Sequence, residues 1–407
     1  TSGALPLTAA LLLLLPLPRV SAQAPDPPGG IQFPLKIETP PVIDGVLGEA
    51  FWQEAPSVSS FRTWAPDFGR EMVGDTRAYM AYDRSNLYFG FHAFDPEPNL
   101  IKAAIADRDN IRRDDWVAIN LDTFGDQQSL YAFYVNPLGI QMDTRYASGQ
   151  EDPHVDLVWY SQGRIDETGY TVEIQIPLKS IRFADGDTVN MGVIFERHIS
   201  RNREMGTSPP LDPEKGESWL IQMMPLVYEG LASENVAELL PAWTYSNRKA
   251  QEEGRLATQE DRGEISLTGK YGITSDLILD GTYNPDFSQV EADASQVDVN
   301  LRYQLYFPEK RAFFREGGEH FAVGGTGASG LDPVNSIVYT RTIIDPIVGA
   351  KLTGKVGEKD FLASIYAVDE LSQPPDPESD GPDYAHVPIV RYKRALDEDS
   401  YIGLIYA

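Results

Sequence analysis

The spacing of apolar and polar residues divides the chain into two parts that both predict strands. Between Ile37 and Val227, short runs rich in Tyr, Phe, Val and Ile end at Asp, Asn, Gly or Pro, as strands separated by turns do. The runs are TRAYMAYD, NLYFGFHAFD, WVAINLDTF, LYAFYVNPLG, YTVEIQIPL and VNMGVIFERHIS. Because no helical periodicity separates them, they predict an antiparallel β-sandwich of jelly-roll type, with one short helix at EAFWQEA near its start.

A stricter alternation of apolar and polar residues begins after Gly263. Its apolar face carries Ile265, Leu267, Gly269 and Tyr271, and its polar face carries Glu264, Ser266, Thr268 and Lys270. The scheme returns at 277–284 and 296–307 and continues in VGAKLTGKV and DFLASIYAV. We expect the polar face of such a strand to meet water and its apolar face to meet a core or lipid. Strands of about ten residues that end in aromatic residues are typical of transmembrane β-barrels. A second soluble β-sandwich is the alternative.

The stretch FPEKRAFFREG follows the most regular of these strands. It predicts that Phe307, Phe313 and Phe314 lie in the aromatic girdle of a barrel, where the strand leaves the membrane. The chain stops inside another strand-like run, YIGLIYA, and a closed barrel needs all its edges paired. We therefore expect the visible strands to be the first part of a larger, truncated barrel.

The ends of these patterns give the domain prediction. A leucine-rich run ending at SAQA is too short to span a bilayer and predicts a signal peptide over 1–23. A Pro/Gly linker over 24–35 precedes the sandwich over 36–227. A charged linker over 228–262 then leads to the barrel segment, 263–407. This order predicts a cell outer-membrane protein with membrane lipid as a partner and the sandwich in the periplasm or at the surface.

Composition narrows the function classes. The formal net charge is −27, from 61 acidic against 34 basic residues. Such a surface disfavours binding to the phosphates of nucleic acid, which needs a basic patch. The absence of Cys excludes disulfides, thiolate metal sites and Cys nucleophiles.

Two sets of motifs resemble known families. PPVIDGVLGEAFWQEA, AYDRSNLYFGFHAFD, RRDDWVAINLDT, YAFYVNPLGIQMD and GYTVEIQIPLKSIRF together resemble the family 9 carbohydrate-binding modules, which are β-sandwich domains. YNPDFSQVEAD and FPEKRAFFREG resemble the outer-membrane family numbered 5916 among domains of unknown function, in which such a module precedes a β-barrel. The resemblance implies binding of a poly- or oligosaccharide, in polysaccharide capture, uptake or catabolism.

Tryptophan rings are the first candidates for the ligand site. A sugar needs a flat aromatic face for its apolar side and planar hydrogen-bonding groups for its hydroxyls. In the family 9 modules two Trp rings hold a sugar end, as the resemblance implies. Trp64 in FRTWAPDFG and Trp159 in DLVWYSQG are the best stacking candidates here, with core or edge packing as the alternative for each, and the role of Trp116 stays open. Trp52, in the predicted helix, is expected in the core.

The motif RRDDW supplies polar candidates. Arg112, Arg113 and Asp114 are able to bind sugar hydroxyls in bidentate fashion. The alternative is a solvated strand entry with mutual salt bridges. The resemblance also implies a structural Ca²⁺, for which Asp115 is the candidate ligand. Asp122 and Asn136, at strand ends, are expected to cap turns.

No residues predict catalysis. The sequence lacks a nucleophile elbow, and its five His are scattered, with His154 between two Asp as the one metal-ligand candidate. Three alternatives to simple sugar binding remain. The module is an accessory part of a glycoside hydrolase acting on O-glycosyl bonds, or binds haem, for which His92 is the candidate, or only anchors the barrel.

Overall fold

The computed structural model describes residues 29–407 except 148–149, 154, 185, 216–218, 232–236, 253–254, 286–308, 310, 316, 322–337, 358, 371–383 and 397–400. For 150, 246, 248–252, 255–262, 312 and 319, it describes the backbone alone. The predicted signal peptide, His154, Phe307 and the predicted strand over 296–307 lie outside the described residues.

The first part of the chain is a sandwich of two sheets, called the module below. Its helix is α1 (Phe51–Glu54), and its strands are β1 (Leu35–Lys36), β2 (Ser57–Val58), β3 (Arg62–Ala65), β4 (Thr76–Tyr82), β5 (Asn86–Phe94), β6 (Trp116–Asp122), β7 (Ser129–Val135), β8 (Gln141–Ala147), β9 (Gln150–Asp152), β10 (Tyr160–Ile165), β11 (Gly169–Pro177), β12 (Thr188–Ile199), β13 (Glu204–Ser208) and β14 (Met224–Glu229). Among the described strands, the smaller sheet has the order β1-β4-β5-β11-β10, with β2 on β4. The larger has the order β3-β13-β12-β6-β7-β8-β9, with β14 on β12.

The module core lies between the two sheets. Phe89 and Phe91, two residues apart on β5, point to the same side, as the two-residue period of a strand requires. Phe195 of the larger sheet meets both rings edge-on, with centroid distances of 6.0 and 5.7 Å. The helix α1 lies on the outside of the smaller sheet and buries Trp52 there, as predicted. Alternation along the strands thus places one apolar face of each sheet in a shared core.

The second part of the chain forms one antiparallel sheet, called the C-terminal sheet below. Its described strands are β15 (Ala237–Glu252), β16 (Arg255–Gly272), β17 (Leu277–Tyr283), β18 (Pro346–Val356), β19 (Asp360–Glu370), β20 (Tyr384–Ala395) and β21 (Tyr401–Tyr406). Each described strand pairs with the next one in chain order. The two parts confirm the prediction of an all-β chain built almost wholly from antiparallel sheets.

The two faces of the C-terminal sheet are reversed relative to a soluble sheet. Apolar side chains such as Ile265, Leu279 and Leu404 are exposed. Polar side chains of the other face are buried: Lys351 pairs with Asp280 at 3.5 Å and donates to the carbonyl of Phe313 at 2.8 Å. The polar face is therefore covered by protein where it was expected to meet water.

The cover is a short segment around α2 (Ala312–Arg315) and the 3₁₀ turn Gly318–Phe321. Phe313, Phe314 and Phe321 pack on the C-terminal sheet with Ile343 and Ile365 in one buried cluster. The girdle prediction is therefore wrong for Phe313 and Phe314, which are buried. The helix turn after Arg311 redirects the chain across the sheet, and periodicity within a strand cannot reveal such a turn.

The linker predicted over 228–262 also differs from the structure. Residues of β14 occupy its start, and β15 and β16 form a long hairpin through most of its remainder. The pairing runs from Ala237↔Tyr271 to Glu252↔Arg255, past the ends of the shorter β17. The part of the hairpin that extends beyond β17 has no second neighbouring strand. Its sequence there need not alternate between apolar and polar residues.

The module touches the C-terminal sheet through polar side chains. Lys355 pairs with Asp126, and Lys393 donates to Gln128 at 3.0 Å. His320 lies 3.5 Å from Arg145 of β8. These contacts join the loop between β6 and β7 to the edge where β18 and β20 end. In the part of the chain that the structure describes, no helix has the length and apolarity to span a membrane.

Candidate functional site

Trp64 stands at an exposed corner of the larger sheet. It lies on the edge strand β3, next to the buried Thr63, so its ring points away from the core. The side chain is 40% exposed, and Phe68 meets it edge-on at a centroid distance of 6.3 Å. Trp64, Phe68 and Arg70 are called the Trp64 corner below. Both rings are partly exposed, so the corner presents two apolar ring surfaces to solvent.

Arg70 fixes the loop that carries this corner. The amide of Arg70 donates to Thr63 Oγ1 and the amide of Thr63 donates to the Arg70 carbonyl, which folds the loop back on β3. The guanidinium pairs with Asp67 at 2.9 Å and with the buried Glu204 at 3.3 Å. The hydrogen bond from Arg70 lowers the pKa of Asp67. The corner therefore places two exposed rings beside a guanidinium and the exposed carboxylate of Asp67, which are kinds of group that sugar recognition uses.

The other two tryptophan candidates are buried. Trp159 is 3% exposed, lies edge-on to Phe133 at 5.2 Å and donates its indole N–H to Asp143. Trp116 is 6% exposed and stacks on His198 with a centroid distance of 5.1 Å. Neither ring presents a free face in this structure. The burial of Trp159 agrees with the alternative of core packing. His198 reaches Trp116 by the pairing of β12 with β6, and Phe133 meets Trp159 in the core between the two sheets.

The candidates of the RRDD motif divide into exposed and buried side chains. Arg112 is exposed and lies 3.7 Å from Glu151, while the exposed Arg113 has its carbonyl bonded by Ser200 Oγ. Asp114 is buried and accepts the amide of Ala104 and the side-chain amide of Asn136. The structure therefore separates the two exposed arginines from the buried carboxylate.

Asp115 does not have the surroundings of a calcium ligand. Its carboxylate is buried, and its Oδ1 accepts the amide of Ser200 at 2.8 Å. Burial raises its pKa, and the hydrogen bond from the Ser200 amide and the charges of Arg197 and Arg201 oppose that rise. Ca²⁺ needs six to eight oxygen ligands, and the described residues contain no cluster of three His, Cys, Asp or Glu able to hold a metal.

His92, the candidate of the haem alternative, lies on the outside of the smaller sheet. Its Nε2 is 3.1 Å from Thr168 Oγ1, and its ring stacks on Phe94 at 3.7 Å. Charged side chains of neighbouring strands surround it. Sequence analysis did not anticipate this polar environment because the alternating Phe residues left the direction of His92 ambiguous.

Comparison with known protein families finds a match in each of the two parts of the chain. Residues 43–208 match the family model described as carbohydrate family 9 binding domain-like, and residues 239–326 match a domain of unknown function, DUF5916. No curated protein matches the chain.

Solved structures resemble the module. A family 9 carbohydrate binding module from Caldicellulosiruptor kristjanssonii in complex with cellotriose is 18% identical, with a TM-score of 0.36, and the match covers 50% of this chain and 95% of that one. The same module in complex with glucose gives 18% identity, a TM-score of 0.34 and coverage of 50% and 98%. The two family matches confirm the predicted order: the stretch that matches the carbohydrate family 9 binding domain-like model precedes the stretch that matches DUF5916.

Proposed function

We propose that the chain binds saccharides through its module, while the C-terminal sheet holds the module at the outer membrane for polysaccharide capture. The observation that carries the binding part is the match of residues 43–208 to a carbohydrate-binding family. The Trp64 corner supports it, because Trp64 is the one tryptophan candidate from the sequence whose ring is accessible among the described residues.

The exposed apolar face of the C-terminal sheet supports the membrane part. Its apolar side chains lie outward and its charged side chains pair beneath α2, which suits strands that meet lipid on one face. The predicted leader over 1–23 fits export of the chain.

Titration of the full chain with cello- and xylo-oligosaccharides tests the binding part. Trp64→Ala removes the larger ring of the corner, and we expect the affinity to fall about tenfold or more, the effect of losing about 1.4 kcal/mol or more. Tyr160→Ala is the matched control, since Tyr160 is an exposed aromatic residue on β10 of the other sheet. Calorimetry gives the affinity, and circular dichroism checks the fold.

Two results would contradict this proposal in different ways. Unchanged saccharide affinity in Trp64→Ala would place the site away from the Trp64 corner. No binding to any of these saccharides would leave the family match as a likeness of fold and favour a purely anchoring role.

A further inference from the structure

The smaller sheet of the module carries a cleft on its outer side, whereas the Trp64 corner lies on the larger sheet. The cleft has a volume of about 720 Å³, within the range of small-molecule sites. Strands β4, β5, β11 and β10 form its floor, and residues 46–55, including α1, form one wall. Val46, Leu47 and Trp52 make this wall apolar.

Four polar side chains cross the floor in one row. Strand register places Arg77 opposite His92, His92 opposite Thr171, and Thr171 opposite Arg164. Residues opposite each other in a sheet point to the same face, so all four line the cleft. Three strand spacings separate the Cα atoms of Arg77 and Arg164 by roughly 14 Å. Two guanidinium groups therefore stand at the two ends of a row that has an imidazole and a hydroxyl between them.

The carboxylates near this row are already engaged. Asp166 accepts the amides of Thr168 and Gly169 and the hydroxyl of Thr168, and these hydrogen bonds lower its pKa. Asp75 lies 3.8 Å from Arg77, a long contact between two exposed side chains, which stabilises little. Arg164 has no ion pair to any described residue within 4.0 Å in this structure. The cleft is therefore lined by two arginines and by one carboxylate, that of Asp166, whose hydrogen bonds are made within its own turn.

His92 supplies a neutral polar group at the centre. Burial lowers its pKa, so the imidazole is uncharged at neutral pH. Stacking on Phe94 and the contact with Thr168 Oγ1 fix the ring. A neutral imidazole is suited to a hydroxyl group, whereas the guanidinium groups are suited to a carboxylate, which they bind with two parallel N–H···O bonds.

We propose that this cleft is a second ligand site, which takes a carboxylated saccharide with its acid groups at Arg77 and Arg164. The apolar wall and Tyr79 contact the ring faces, while His92 and Thr171 meet the hydroxyls. The saccharide part of this inference rests on the function proposed above, and the anionic part rests on the two arginines.

Titration of the full chain with trigalacturonate and with its fully methyl-esterified form tests the cleft. The two probes share their sugar rings and differ in charge. We expect the wild type to bind the acid at least about tenfold more tightly than the ester, and Arg77→Gln or Arg164→Gln to weaken acid binding about tenfold each. Arg84→Gln is the control, because this substitution also removes one positive charge. Arg84 is exposed in the β4–β5 turn, outside the cleft.

Three outcomes would overturn the inference. Equal affinity for acid and ester would remove the role of the carboxylate. Unchanged acid binding in both arginine variants would place the acid elsewhere. Competition by inorganic sulfate as strong as by trigalacturonate would make the cleft a simple anion site. Trp64→Ala separates the two proposals: loss of acid binding in that variant, with the arginine variants unaffected, would support the Trp64 corner and reject the cleft.

Discussion

At the scale of single residues, the module depends on a few buried charges with fixed partners. Arg197 is fully buried at the edge of the core. Its Nη1 donates to the carbonyls of Gly74 and Asp75 and to Thr76 Oγ1, and its Nη2 donates to the carbonyl of Phe94 at 2.8 Å. One guanidinium thereby ties β12 of the larger sheet to β4 and β5 of the smaller one.

Arg197→Met is expected to destabilise the module by about 3–5 kcal/mol, because it leaves the buried carbonyls that accept from the guanidinium without their donor. Arg197→Lys keeps the charge but lacks the planar fork, so we expect a loss of about 1–3 kcal/mol. Urea unfolding followed by circular dichroism measures both. The exposed Arg84→Gln should stay within about 0.5 kcal/mol of wild type. Equal stability of the Arg197 and Arg84 variants would contradict the assigned role.

Glu173 links stability to pH. Its carboxylate accepts the amides of Asp44 and Gly45, both at 2.9 Å, and the indole N–H of Trp52 at 3.1 Å. Burial outweighs these hydrogen bonds and raises the pKa of Glu173 to about 7. Because the folded pKa lies above that of the unfolded chain, the protonated form favours folding. This contribution is complete below about pH 4.5 and is lost as the pH rises through about 7.

The free energy of unfolding should therefore fall between pH 5 and pH 8, with a share from Glu173 of about 1–2 kcal/mol after solvent screening. Glu173→Gln cannot ionise, so its unfolding free energy should change less over the same interval. Denaturant titrations at the two pH values measure this difference. Glu167→Gln, at an exposed position, is the control. An identical pH dependence in Glu173→Gln and wild type would show that Glu173 does not titrate there.

At the scale of elements, buried side chains hold the loops that join strands. Asp122, at the end of β6, accepts the amides of Phe124, Gly125 and Gln127 at 2.7–3.0 Å. Asn136, at the end of β7, accepts the amides of Leu138 and Ile140. The predicted turn capping by both residues is confirmed. Since Asp122 fixes the loop after β6, it also fixes the position from which Asp126 reaches Lys355.

The pair between Asp126 and Lys355 offers a charge-swap test of how the loop docks on the C-terminal sheet. Asp126→Lys places two cations together and should raise amide hydrogen exchange in residues 123–128. If the pair contributes about 1 kcal/mol, the increase is about fivefold. The double variant Asp126→Lys with Lys355→Asp should restore protection, and Asp107→Lys, at an exposed loop position, should not change it. No gain in exchange in Asp126→Lys would show that the loop docks without this pair.

Elements were predictable from the sequence where both neighbours of a strand are present. The runs that became β4, β5, β6, β7, β11 and β12 alternate or are wholly apolar because each packs on a core. The hairpin β15–β16 extends past its neighbours, and for that reason its polar sequence predicts a linker instead of strands.

Site prediction depends on contacts that local sequence patterns do not contain. Trp64 and Trp159 look alike in sequence, and only Trp159 has Phe133 and Asp143 against it. The cleft row from Arg77 to Arg164 comes from four separate strands, so only the register reveals it.

At the scale of the whole molecule, the two parts of the chain bury opposite kinds of side chain. The module places apolar residues between its sheets and polar residues outside. The C-terminal sheet places Lys351, Asp280 and Thr282 under α2 and leaves apolar and aromatic side chains outside. In water, an exposed apolar face of this extent is unfavourable, because each exposed square ångström costs about 25 cal/mol relative to burial. An acyl-chain environment removes that cost, which is why the orientation of the faces favours lipid contact on the outer side.

Trp243 gives a direct measurement of that contact. It lies on β15, is 71% exposed and stands opposite Ile265 on the outer face. Of the six tryptophans, the other five belong to the module, so lipid contact of the sheet is reported by Trp243 alone. In vesicles of lipids with brominated acyl chains, we expect quenching of wild-type fluorescence and much weaker quenching in Trp243→Phe. Trp64→Phe, which changes the exposed tryptophan of the module, should be quenched like wild type. Equal quenching of wild type and Trp243→Phe would mean that the outer face does not meet acyl chains. The exposed apolar residues would then require a protein partner, and the anchoring role would be lost, while saccharide binding at the module would still stand or fall by its own titration.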